Sequence, residues 1–182
     1  MTFLKWIFKE NLYSKEKPFN IGGVTVCDTW DPDNEDWDKR GGFNFSTESS
    51  ILRWVSRGDM LCEITIPEDA TLKKVTNSKT PDGIYVSNKI IITKVTPVSD
   101  ELTLEYYKKS DMPLKTYLET IAALAIRGCY KTCLAIINDK VNKDNIDFAL
   151  DEYKTFIRPW HKDHLDQETY DKVLNILKSI KE

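Results

Sequence analysis

The chain has 182 residues, 41% of them hydrophobic and 30% charged, with 26 Lys and Arg against 29 Asp and Glu for a formal net charge of −3. A chain of this length buries about 70% of the surface that its unfolded form exposes, so it needs neither a disulfide nor a metal to hold a core. The composition excludes a disordered tail and a long repeat array, and the charge lacks the broad positive field of a nucleic-acid binder.

The start, Met1-Thr2-Phe3-Leu4-Lys5-Trp6-Ile7-Phe8, is apolar but broken by Lys5 and followed by Lys9 and Glu10. It reads as neither signal peptide nor anchor, and no stretch approaches the roughly 20 apolar residues of a membrane span. Short apolar runs flanked by Gly, Pro, Asp or Asn then predict strands at 23–27, 42–46, 61–66, 71–75 and 89–95. One helix interrupts them. Ser46 or Thr47 is placed to cap a segment in which Ile51, Leu52, Trp54 and Val55 share a face before Gly58. Between the first two strands lies an acidic loop, 29–38. Its spaced carboxylates are calcium-like, but it lacks the glycine and closing glutamate of an EF-hand, so the expected state is a solvated loop with Trp30 and Trp37 folded back on the sheet.

The pattern changes near Pro97-Val98-Ser99-Asp100, and from about Leu102 the apolar residues recur at helical spacing. Leu118, Ile121, Ala122 and Ala125 mark one helix. Gly128 ends it, and Tyr130, Cys133, Leu134 and Ile137 mark an antiparallel second one. Ile146, Ala149, Leu150 and Tyr153 form a third stripe. The last helix follows Asp166 as N-cap, with Glu168 in its first turn and Lys178 and Lys181 at its negative end, its apolar side facing either its own core or a second copy.

Few residues carry obvious chemistry. Cys27, Cys62, Cys129 and Cys133 form no Cys-x-x-Cys pair and read as reduced, packing residues of an intracellular protein. His161 and His164 are the only histidines, and with no third ligand nearby they predict no metal. Gly22-Gly23 and Gly41-Gly42 lack phosphate-loop spacing. Lys39-Arg40, Lys73-Lys74 and Lys108-Lys109 are scattered among carboxylates and read as solvated faces.

The run Gly41-Gly42-Phe43-Asn44-Phe45-Ser46-Thr47-Glu48, the helix after it, the block 61–70 (Leu-Cys-Glu-Ile-Thr-Ile-Pro-Glu-Asp-Ala) and Ser87-Asn88-Lys89-Ile90-Ile91-Ile92 come in an order and spacing that carry a resemblance. Together they resemble the N-terminal domain of ankyrin-repeat proteins of mimivirus-like giant DNA viruses, over residues 19–98. The segment 120–137 looks like one ankyrin-type helix pair, without the usual Thr-Pro-Leu-His signature. The resemblance implies a viral module that engages a host or viral protein in the cytoplasm of an infected cell, with no cofactor. A second resemblance is to ADP-ribosyltransferases. Glu63-Ile64-Thr65-Ile66-Pro67 is similar to their catalytic Glu-Val-Leu-Ile-Pro segment, and Phe45-Ser46-Thr47 to their Ser-Thr-Ser strand. It implies NAD as cofactor, Glu63 as the catalytic carboxylate and Ser46 and Thr47 as its supports, although Leu61 stands where that family has Glu or Gln.

The expected fold is thus α+β. A curved, mostly antiparallel sheet crossed by one helix occupies a sheet-rich N-terminal domain, residues 1–100. A C-terminal region, residues 101–182, holds about four helices including the ankyrin-like pair and packs on the sheet. The leading expectation is a non-enzymatic protein-binding module, with Trp30, Trp37, Arg158 and Trp160 as partner-binding residues because tryptophan and arginine are common interface anchors.

Overall fold

The computed structural model describes residues 2–16, 19–77 and 80–182, and only the backbone of 37, 38, 77, 81–83, 159 and 160. Its residues fall into two compact units, one made of 1–48 and 60–96, the other of 49–59 and 97–182. The class is α+β, as expected.

The first unit holds an open antiparallel sheet of seven strands: β1 (Phe3–Ile7), β2 (Val24–Val26), β3 (Phe43–Thr47), β4 (Met60–Thr65), β5 (Leu72–Asn77), β6 (Thr80–Ser87) and β7 (Lys89–Pro97). Their order is β2-β7-β4-β1-β3-β6-β5. Each of the five predicted strands is present within a residue or two at its ends. The sequence reading named neither β1 nor β6. In β1 the polar Lys5 hides an alternation that sends Leu4 and Trp6 to one face and Phe3 and Ile7 to the other. In β6 the Pro81-Asp82-Gly83 run reads locally as a turn.

Two short helices, α1 (Lys9–Leu12) and α2 (Trp37–Arg40), belong to this unit. Its core collects Ile7, Phe45, Cys62, Ile64, Ile90 and Ile92 from one sheet face, with Leu12 of α1 joining them. Phe3 packs edge-on to Phe45 at 5.0 Å and against Tyr85 at 5.0 Å. Lys5 sits opposite Cys62 in the register and donates from Nζ to the Asn44 carbonyl at 2.6 Å. Burial pushes the Cys62 thiol up to about 12, with Lys5 offsetting part of the effect, so this cysteine is a packing residue.

The second unit contains α3 (Asp100–Lys109), α4 (Leu114–Ala125), α5 (Tyr130–Lys140), α6 (Ile146–Thr155) and α7 (Gln167–Lys181), with 3-10 segments at Ile51–Arg57 and Pro159–His164. α4 is its centre. Nine of its twelve residues are buried, and it contacts α5, α6, α7 and the first 3-10 segment. Gly128, at φ +73°, supplies the left-handed residue that ends the α4 turn, and its N–H donates to the Ala125 carbonyl at 3.0 Å. Asp166 caps α7 by accepting from the Thr169 N–H at 2.8 Å. Tyr170, Val173 and Leu177 of α7 are buried, and the helix packs on α6, α5 and α4 of its own unit.

α3, a helix the sequence reading did not single out, begins at Ser99, whose Oγ accepts from the Leu102 N–H at 3.1 Å. Its first residue also caps a second helix: the Asp100 carboxylate accepts from the N–H groups of Lys131 and Thr132 at 2.6 and 2.9 Å, at the positive start of α5.

The segment between β3 and β4 corrects an expectation. Ser46 and Thr47 are the last residues of β3, not a helix cap. The helix is 3-10, the side chain of its N-cap Ser50 makes no capping hydrogen bond, and the Arg53 N–H reaches back three residues to the Ser50 carbonyl. Its hydrogen bonds run to the helical unit. Arg127 donates to the carbonyls of Val55 and Ser56, Arg53 donates to Thr116 Oγ1 at 2.9 Å, and the N–H groups of Asp111 and Val98 donate to the carbonyls of Ser49 and Asp59. A stretch lying between two strands in the chain is thereby stitched into the helical core.

Candidate partner-binding edge

β2 is a terminal strand of the sheet, paired on one side with β7 in the register Val24↔Ile91, Thr25↔Ile90 and Val26↔Lys89. The Cys27 N–H donates to the Asn88 carbonyl at 2.8 Å, one step further along the same ladder. Antiparallel ladders alternate, so Thr25 shares the inward phase of Cys27, and the N–H and C=O of Val24 and Val26 point away from β7. The side chains of Val24 and Val26 are 44% and 53% exposed, and that of Ile21 just before them is 42% exposed. Such an edge, with outward backbone groups and adjacent exposed aliphatics, is a surface on which a further strand can pair.

The chain leaves β2 into the acidic loop, which is closed and stiff. Trp30 bridges to Gly41, the Asp31 N–H donates to the Arg40 carbonyl at 2.8 Å, and the Gly42 N–H donates to Cys27 Sγ at 3.1 Å. Gly41 and Gly42 both have positive φ, +67° and +81°, and the half-buried Trp30 ring lies where a side chain on Gly42 would have to be. Arg40 turns inward to donate from Nε to the Asn34 carbonyl at 2.7 Å, and Lys73 donates to the Pro32 carbonyl. The carboxylates of Asp28, Asp31, Asp33, Glu35 and Asp36 are left on the exposed rim, with Lys39 paired to Asp36 at 3.4 Å. No group of three or more His, Cys, Asp or Glu side chains able to hold a metal occurs among the described residues.

The residues of the enzyme reading lie elsewhere in this unit. Leu4 pairs with Glu63 on one side and with Ser46 on the other, so Glu63 and Ser46 flank Leu4 on one face, roughly 10 Å apart by strand spacing. Thr47 pairs with Phe3 and projects to the opposite face. Glu63 is half-buried, and its Oε1 accepts from Lys94 Nζ at 2.9 Å.

Of the four residues expected to bind a partner, Trp30 is described above. The side chains of Trp37 and Trp160 lie outside the described residues, and Arg158 is exposed and donates from Nη1 to the Thr155 carbonyl at 3.0 Å. Beside Arg158, His161 is buried, stacks on Phe156 at 5.0 Å, and accepts the Arg158 N–H at Nδ1. Burial, then Arg127, Arg57, Arg158 and His164, hold its pKa below the ordinary 6.5. The neutral ring therefore stabilises the fold fully above the unfolded-state value of about 6.5, and that stability is lost as pH falls below it. The urea midpoint of the helical unit is expected to drop between pH 7 and 5.5, and His161→Phe, which keeps the stack, should flatten that dependence. An equal drop in both proteins would remove His161 as its cause. Cys129 and Cys133 are fully buried, with the Cys133 thiol donating to the Ile121 carbonyl at 3.4 Å. Burial raises the pKa of both thiols.

The sequence reading missed β2 as a site. Val24-Thr25-Val26 looks like any other strand run, and only the strand order reveals that it lies at an edge. The chain matches no protein-family model, no curated protein and no solved structure. Among the described residues, no helix is long and apolar enough to cross a membrane.

Proposed function

We propose that this chain is a protein-binding module that works by contact and not by chemistry of its own. The observation that carries the reading is the terminal strand β2, with Ile21, Val24 and Val26 exposed beside a stiffened acidic loop. Aliphatic side chains on an open sheet edge are costly to leave in water and invite aggregation, so their retention is best accounted for by a partner that covers them. The further step, that the partner is a host or viral protein met in an infected cell, rests on the resemblance carried by 41–48, 61–70 and 87–92. Affinity capture with the purified chain is expected to retain a partner saturably and with fixed stoichiometry, leaving both proteins covalently unchanged. Failure to retain any protein above the bare matrix would sink the reading.

A second reading, ADP-ribosyl transfer, draws support from Glu63 and Ser46 lying on one sheet face on either side of Leu4. A carboxylate near the anomeric carbon would stabilise the positive charge that develops there. Against it, Glu63 is engaged by Lys94, and Thr47 points away. The module reading expects no nicotinamide release from NAD by the native chain. Release that disappears in Glu63→Gln would put the enzyme reading in its place.

A further inference from the structure

Resting on the protein-binding reading, the geometry points to a particular kind of partner. We propose that the open edge of β2 accepts an extended peptide by antiparallel strand addition. The peptide carries β-branched or aliphatic residues at alternating positions and lysine or arginine toward its N-terminal end.

The backbone sets the mode. Val24 and Val26 present their N–H and C=O groups outward, in the phase that a new antiparallel strand requires, while Thr25 and Cys27 are turned toward β7. The sheet is antiparallel, so an added strand of that sense continues it.

The side chains set the first half of the specificity. Val24 and Val26 share one face and stand 44% and 53% exposed, so residues opposite them on the added strand meet aliphatic surface. The next ones project to the other face, where Thr25 is half-buried. This is the alternation written into the proposal.

Charge sets the second half. β2 runs toward the acidic loop, and Asp28 follows Val26 by two residues. An antiparallel partner passes that end with its own N-terminal residues. There it enters the field of the acidic loop, whose exposed carboxylates begin at Asp28 and continue at Asp31 and Asp33, and whose course is fixed by the Asp31–Arg40 hydrogen bond and the two left-handed glycines. Cations at that end of the peptide are attracted and an acidic end is repelled, which fixes direction as well as affinity. The strand is three residues long, so few backbone bonds form and the charge contribution adds to them and sets the direction.

The test uses the full chain and a random dodecapeptide library displayed on phage, followed by fluorescence anisotropy with the selected synthetic peptides and amide hydrogen exchange with and without them. The selected sequences are expected to show the alternating aliphatic pattern with Lys or Arg toward the N-terminus. Bound peptide should slow exchange at Val24 and Val26 and leave Thr25 as it was. Val26→Pro removes an outward N–H without touching a β7 bond, and is expected to weaken binding by about tenfold or more. Val26→Lys, which keeps the backbone, should weaken the basic peptides as well. Asp31→Asn combined with Asp33→Asn should weaken them several-fold and flatten the dependence on salt.

Selection of peptides lacking the pattern, no selection at all, or affinities indifferent to both Val26 variants would overturn the proposal. So would protection of Val24 and Val26 without peptide as concentration rises, because the occupant would then be a second copy of the chain. A protein captured equally by the native chain and by the Val26 variants would leave the binding reading standing and remove β2 from it. Capture of no protein, alongside peptide binding at β2, would do the reverse.

Discussion

Gly41→Ala is expected to dislocate the acidic loop and to cost the sheet unit about 3 kcal/mol or more. Two effects combine. At φ +67° an L-residue carries about 1–2 kcal/mol of backbone strain, and the added Cβ would lie 1.4 Å from the carbonyl oxygen of Thr29. The obstacle is backbone, so it cannot swing aside as a side-chain tip would. The chain must move, and with it go the Trp30–Gly41 bridge and the Asp31–Arg40 hydrogen bond that hold the carboxylate rim. Gly22 is the internal control. It has φ +81° and nothing within 4 Å of its missing Cβ, so Gly22→Ala bears the backbone strain alone, about 1 kcal/mol. Denaturant unfolding followed by tryptophan fluorescence compares the two. Equal losses would show that the contact with Thr29 relaxes at no cost, and the loop would not be the rigid element that the binding proposal uses.

Tyr153→Ala is expected to cost the helical unit about 4 kcal/mol, and Tyr153→Phe about 1 kcal/mol. Tyr153 on α6 and Tyr170 on α7 stack at 4.6 Å with an interplanar angle of 22°. Each hydroxyl donates to the other residue's carbonyl, at 2.9 Å from Tyr153 and 3.1 Å from Tyr170. The pair joins the two helices through ring area and two hydrogen bonds at once. Desolvation raises both phenol pKa values, so neither titrates in the physiological range and the pair is a constant of the fold. Removing the hydroxyl forfeits one bond, whereas removing the ring leaves a cavity between α6 and α7 that neighbouring side chains fill only in part. Thermal and urea unfolding of the two variants should separate by several kcal/mol. An alanine variant no worse than the phenylalanine one would mean that α7 is held by Val173 and Leu177 alone.

How much of this was readable beforehand follows from how local each cause is. The N-cap at Asp166, the turn at Gly128 and the apolar stripes of α4 to α7 are made by residues within a turn or two of one another. Spacing alone therefore located them. The strands at 43–47, 60–65 and 89–97 were legible for the same reason, since alternation is a property of neighbours. β1 and β6 were passed over because one lysine in the first, and a Pro-Asp-Gly run in the second, outweigh a strand signal that pairing with other strands restores.

Local sequence signals were enough for the class of fold, the change from strands to helices near residue 97, the turn at Gly128 and the N-cap of the last helix at Asp166. Three further features arise from contacts between residues far apart in the chain. The segment 49–59 joins the helical unit because Val98, Asp111, Thr116 and Arg127, all outside it in the chain, are its hydrogen-bond partners. Glu63 is paired because Lys94, 31 residues away, is brought beside it by the sheet. β2 is an edge because strand order is set by which long-range pairings bury the most surface, and a run of Val-Thr-Val carries no mark of whether one or both of its sides will find a neighbour.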